Sequence, residues 1–169
     1  MEIQLDHLYE FDLTGTISFG GLDESFLYDM FKDGRFCCEP LSRYLEQQFN
    51  DLVFVDKKGY DFTWQGRKIE KKQITKNGLK FCQSSMIGAG RVVNTNQMLD
   101  HISENKLLYL LADITEFPKV RVAFIEGAEL VRHCKSKNFT YTRKAALNLL
   151  NAIKSKQEYT RQGSSVYTT

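Results

Sequence analysis

Proline and tryptophan are nearly absent from these 169 residues, with two of the first and one of the second. Together with only 11 glycines, this excludes collagen-like and proline-rich linker architectures. No apolar run approaches the ~18 residues of a membrane span. The opening residues, Met1-Glu2-Ile3-Gln4-Leu5-Asp6, are acidic and mixed, unlike a signal peptide. The expectation is a soluble, cytoplasmic protein. The four cysteines form no framework, since Cys37 and Cys38 are adjacent while Cys82 and Cys134 are isolated. No C-x-x-C or histidine pair supplies zinc-ligand spacing, and reduced thiols are expected. His7, His101 and His133 are equally scattered, and each reads as structural or solvated rather than catalytic.

What is present is an ordinary globular balance, 42% hydrophobic and 26% charged, which argues against a wholly disordered chain. At about 150 residues per domain the length fits a single domain with a real core. The net charge of +2 decides nothing, but its distribution is uneven. Between Arg67 and Lys80 stand Arg67, Lys68, Lys71, Lys72, Lys76 and Lys80 against Glu70 alone. From Arg132 onward eight basic residues face only Glu158, while the acids concentrate before residue 62. Such polarity suits a polyanion-binding face, although solvated lysine faces on ordinary elements would read the same way.

No repeat of about 20–50 residues is visible. Residues 1–35 read as short elements and turns, with a helical turn at Asp23–Phe31. Pro40 suits the first turn of a helix, and Leu41, Tyr44, Leu45, Gln48, Phe49 and Leu52 follow with helical spacing. Leu52–Asp56, Tyr60–Gln65 and Lys68–Thr75 read as strands separated by turns at Lys57-Lys58-Gly59 and Gln65-Gly66-Arg67. A polar loop spans roughly Lys76–Arg91. Asn94 with Gln97 resembles a capping box opening a helix through about Asn105. Leu107–Ile114 and Val120–Ile125 are apolar strands on either side of Pro118. Thr142 can cap a last helix with Ala145, Ala146, Leu149, Leu150 and Ile153 on its buried face, and the polar residues 157–169 are expected to fray. The order predicts an α/β (α+β) domain around a mixed central sheet flanked by helices.

The segment that can carry chemistry is Tyr60–Gln73. Side chains alternate along a strand, so Glu70 and Lys72 share a face, ~6.6 Å apart, and Lys71 points away. A tight turn at Gly66 can fold Asp61 back opposite or diagonal to them. Two carboxylates and a lysine at one end of a sheet make a hard oxygen site for Mg²⁺ (Mn²⁺ can substitute), completed by waters and phosphate oxygens. The lysine can orient an attacking water and stabilise charge developing on phosphorus. The plain alternative is an exposed hairpin with cross-strand ion pairs. Gln73 shares the Lys71 face and reads as structural, and Trp64 reads as hairpin or core packing.

On these residues the chain resembles the PD-(D/E)xK nuclease superfamily, with its core of a helix, three strands, a helix and a further strand, over about residues 39–131. Asp61 would be the first acid, Glu70 the second and Lys72 the lysine. Tyr60 stands where the motif carries proline, and the spacer of eight residues is short. The resemblance implies a restriction-endonuclease-like fold, with residues 1–38 as an N-terminal extension and 140–169 as a C-terminal helix and tail. It adds Glu46 as a further catalytic and metal-binding acid on the first helix. The implied activity is metal-dependent hydrolysis of double-stranded DNA, of restriction or homing type, by a homodimer or higher oligomer. A junction resolvase, or a non-catalytic nucleic-acid-binding module of the same fold, remains an alternative. Such folds approach the duplex with the loop before the second helix. Lys76, Lys80, Ser84, Ser85, Arg91, Asn94 and Asn96 are therefore the expected DNA contacts, Asn and Arg on base edges and Ser and Lys on phosphates.

Overall fold

Among the described residues the periodicities of the sequence resolve into five helices and eight strands. The computed structural model describes residues 1–34, 36–82, 87 and 92–164, with side chains through residue 159. The elements run β1 (Leu8–Asp12), α1 (Glu24–Lys32), α2 (Cys38–Gln48), β2 (Leu52–Lys57), β3 (Tyr60–Trp64), β4 (Arg67–Ile74) and β5 (Leu79–Lys80). They continue with α3 (Thr95–Glu104), β6 (Leu108–Asp113), β7 (Lys119–Glu126), α4 (Gly127–His133), β8 (Thr140–Tyr141) and α5 (Arg143–Ser164). The protein is a mixed α+β fold. None of its described helices is long and apolar enough to cross a membrane.

Side-chain caps set several boundaries. Asp23 accepts from Ser25 N–H to open α1, and Asn94 accepts from Gln97 N–H to open α3. Thr142 Oγ1 accepts from Ala145 N–H at the start of α5. Pro40 sits in the first turn of α2, where a missing N–H costs no helical bond.

Six strands form one sheet in the order β1-β7-β6-β4-β3-β2. β4 and β6 run parallel, with Glu70 opposite Tyr109 and Lys72 opposite Leu111, and all other neighbours are antiparallel. α3 supplies the crossover that the parallel pair requires. The two sheet faces carry separate cores. Ile69, Leu108, Leu110 and Ala112 pack on Leu41 and Leu45 of α2, together with Phe49 and Phe62. Ile74, Tyr109, Leu111, Ala123 and Ile125 pack on Met98 and Ile102 of α3 and on Leu130, Ala146, Leu150 and Ile153 of α4 and α5.

Two expectations change. Residues 1–38 are no appendage to the sheet: β1 pairs with β7 along its length, and Ile3, Leu8 and Leu13 join the cores. α5 continues to Ser164 rather than fraying from residue 157. Gln157 is tied back to the sheet, its Oε1 accepting from Leu8 N–H and its amide meeting His7.

Outside the main sheet, β5 and β8 form a two-stranded ribbon, and the chain enters it through Gly78 at φ +92°. A Cβ there would lie 2.2 Å from Tyr141 O and 2.9 Å from Arg143 N. Both contacts are backbone and cannot rotate away. Gly78→Ala should therefore cost at least about 2 kcal/mol, from the left-handed φ and the collision together. That corresponds to a drop of several degrees in Tm, read by thermal denaturation. An unchanged Tm would show that the ribbon does not seat as described.

Candidate active site and the cleft beside it

The hairpin between β3 and β4 aligns Phe62 with Ile69, Thr63 with Lys68 and Trp64 with Arg67. One step further along, this register sets Asp61 across from Glu70, on the face opposite to α2. Asp61 Oδ2 accepts from the N–H of Lys71 at 2.6 Å. On the same face Lys72 Nζ lies 2.6 Å from Glu70 Oε1, and both side chains are largely covered. Asp61, Glu70 and Lys72 thus stand together at one end of the β3–β4 pair.

The electrostatics of this group are those of two acids sharing one place. Burial, and then the Glu70 carboxylate, push the Asp61 carboxyl above its usual range. The Lys71 N–H, Lys72 and Lys71 pull it back down. Glu70 also helps burial to hold the Tyr109 phenol protonated. A hard divalent cation would relieve the repulsion between the two carboxylates, and Mg²⁺ is content with one or two of them plus water. The donor chemistry of Asp61 and Glu70 therefore fits such an ion.

Glu46 stands elsewhere. From α2 its Oε1 accepts from Phe54 N–H on β2 at 2.9 Å, and its Oε2 lies 3.5 Å from Arg43 Nη1. Among the described residues no group of three or more His, Cys, Asp or Glu side chains is placed to hold a metal ion. A cation at the hairpin would draw on Asp61 and Glu70.

Strand alternation separates Lys71 from Lys72, but Lys71 is no surface lysine. It is only 6% exposed, on the face covered by α2. Its Nζ donates to Cys38 O and Ser42 Oγ in the first turns of that helix. Burial lowers its pKa from the ordinary 10.5, against a partial rise from Cys38 and Asp61. The sequence carries the facing of Lys71 in its alternation but has no signal for the helix that covers it.

The basic run is also less available than its composition implies. Arg67 makes a two-pronged contact with Glu126 at 2.9 and 2.7 Å. Lys68 Nζ donates to Asn105 Oδ1 at 2.7 Å, Lys71 is buried and Lys72 holds Glu70. Lys76 and Lys80 are exposed. In the C-terminal basic stretch, Arg132 pairs with Glu129, Arg143 with Glu116 and Lys154 with Glu10.

Of the expected DNA contacts, Asn94 commits its side-chain oxygen to the α3 cap, and Asn96 is exposed in the first turn of that helix. Ser84, Ser85 and Arg91 lie outside the described residues, as do Gly88 and Gly90. Trp64 packs against the α2-side core with its indole N–H shielded and without a partner among the described residues.

Beyond the end of β3 lies an open cleft of about 840 Å³. β4 and the β5–β8 ribbon wall it on one side, and Asp33, Gly34 and Cys38 on the other. Lys71 and Lys72 both reach it from opposite faces of β4, and Lys80 faces it from the ribbon. Comparison with family models, with curated proteins and with solved structures finds no match for the chain.

The buried ammonium of Lys71 has a measurable signature. Its native pKa lies below that of the unfolded chain, so the unfolded state binds more protons as pH approaches 10.5, and stability rises with pH across that interval. Lys71→Met keeps the apolar stem and removes the charge. In chemical denaturation at stepped pH, wild type should gain stability relative to Lys71→Met between the lowered native pKa and 10.5. Below that interval the difference should be constant. A difference that stays constant up to pH 10.5 would contradict a lowered lysine.

Proposed function

We propose that the protein is a Mg²⁺-dependent endodeoxyribonuclease of the PD-(D/E)xK type, cutting double-stranded DNA at particular sites. The observation that carries this reading is the convergence of Asp61, Glu70 and Lys72 at the end of the β3–β4 hairpin. They sit within a helix, three strands, a helix and a parallel strand (α2-β2-β3-β4-α3-β6, with the short ribbon strand β5 between β4 and α3) that follow the order of that superfamily's core. A protein that only bound nucleic acid would have no need for two acids beside the phosphates.

Asp61 and Glu70 would hold the cation, which when bound supplies charge neutralisation on the phosphate and an acidified water. The chain's own residues do the rest. The Lys71 N–H holds one oxygen of Asp61 and so fixes the carboxylate beside Glu70. Lys72, oriented by Glu70, presents its ammonium where negative charge develops on phosphorus and where an attacking water must be held. Lys76 and Lys80, with Asn96 and the segment 83–91, would carry the duplex. With much of the basic run engaged internally, the salt dependence of binding should be shallower than its composition implies. One such site cuts one strand, so cutting a duplex on both strands calls for two copies about a two-fold axis. Sedimentation of the DNA-bound protein as a monomer would rule that assembly out.

Supercoiled plasmid incubated with Mg²⁺ is the direct test. Discrete fragments sharing one end sequence support a site-specific enzyme, and cutting confined to cruciforms supports a junction resolvase. Binding without cutting supports a non-catalytic module. Asp61→Ala, Glu70→Ala and Lys72→Ala should each lose ~10²-fold or more in cleavage rate while retaining binding. Lys71→Met should keep substantial cleavage. The reverse pattern, with Lys71→Met inactive and Lys72→Ala active, would move the site to the other sheet face and overturn the assignment.

A further inference from the structure

We propose that the cleft beside β4, beyond the end of β3, seats the nucleotide next to the scissile phosphate, with the Gln73 carboxamide donating to a phosphodiester oxygen. This rests on the nuclease reading and assigns it a substrate contact outside the Asp61–Glu70–Lys72 group.

Three observations place the contact. First, Gln73 lines the cleft one residue beyond Lys72, yet its Nε2 is shielded and has no hydrogen-bond partner among the described residues. A shielded, unpaired amide is costly to keep, so a ligand acceptor is the natural partner for it. Second, β3 begins at Tyr60, which the hairpin register sets across from Lys71. The Lys71 N–H points toward β3 and finds Asp61, and by strand alternation the main chain of Gln73 points the same way, past the end of β3. This stretch of β4 edge therefore opens into the cleft.

Third, the walls suit a phosphodiester. Lys72 and Lys80 present ammonium groups, Thr75 and Asn77 add polar side chains, and Lys71 lies beneath. Asp33 is the opposing acid on the wall, and it already has an interaction within the protein. Gly34 of the opposite wall approaches the carboxamide. A Cβ there would come within 3.1 Å of Gln73 Oε1 and 3.2 Å of Thr75 Cγ2, so a side chain at that position would crowd the amide. The terminal torsion of glutamine is soft and roughly two-fold, so the N–H can swing into the cleft without moving the strand.

Binding of a fluorescein-labelled duplex, measured with Ca²⁺ in place of Mg²⁺, tests this on Gln73→Leu and Gln73→Glu, with Lys80→Ala as the charge control. Gln73→Leu should bind roughly tenfold more weakly, with the same salt slope as wild type, because no charge is lost. Gln73→Glu should bind more weakly still. Lys80→Ala should flatten the slope by about one counterion. The DNA-free Tm of Gln73→Leu should equal or exceed that of wild type, since the unpaired amide is gone.

Wild-type affinity in Gln73→Leu overturns the subsite. So does a Tm that falls in step with affinity, which would mark a structural glutamine. A loss seen on one DNA sequence but not on unrelated ones overturns the phosphate contact in favour of a base contact. These outcomes presuppose a wild type that binds and cuts. If wild type neither binds nor cuts DNA, the nuclease reading itself fails and the subsite with it.

Discussion

The parallel pairing of β4 with β6 places every charged side chain between Arg67 and Ile74. It makes β4 an inner strand, covered by α2 on one face and by the α3–α4–α5 layer on the other. A strand with cover on both faces ordinarily reads as a continuous apolar run. β4 instead reads Arg-Lys-Ile-Glu-Lys-Lys-Gln-Ile. Buried charge is stable only where it is paired or hydrogen-bonded. Hence Glu70 and Lys72 hold one another, Lys71 is capped by a helix carbonyl and a serine, and Asp61 is bound by a main-chain N–H. A chain that buries this much charge on an inner strand departs from what packing alone would select, and such departures gather where function requires them.

Local signals made much of this legible. Apolar spacing marks α2, β6 and the buried face of α5, and the oxygens of Asn94 and Thr142 announce two helix starts. Period-two alternation was enough to place Phe62 and Ile69 on one face and Asp61 and Glu70 on the other. What stayed hidden was non-local. β1 is short, and its partner β7 lies more than a hundred residues downstream, so nothing near Leu8–Asp12 declares it a sheet strand. The last turns of α5 carry no apolar period, and it is Gln157 reaching Leu8 that holds them to the sheet.

The charge count failed for the same reason. Composition registers Arg67 as one of a basic cluster, while its partner Glu126 is 59 residues away. Alternation likewise gives the direction of Lys71 but not the helix above it, and the pull of Glu46 toward Phe54 N–H depends on how α2 crosses β2. Of the candidate site, the hairpin acids and their lysine were therefore readable, while the placing of the third acid, Glu46, and the cleft depended on packing that no local pattern encodes.

The two ends of the sheet constrain how copies of this protein could meet. At β2 the register slips between Phe54 and Lys57, and the Glu46 carboxylate occupies the Phe54 N–H. At β1 the side chain of Gln157 occupies the Leu8 N–H, and Lys154 reaches across to Glu10. Each outer strand thus has one donor already taken by a helix side chain, and β2 slips register as well. Unsatisfied, straight edges are what recruit a further strand. Both margins thus discourage extension of the sheet, which favours a two-fold assembly built from helix and loop surfaces over one that continues the sheet from one subunit into the next.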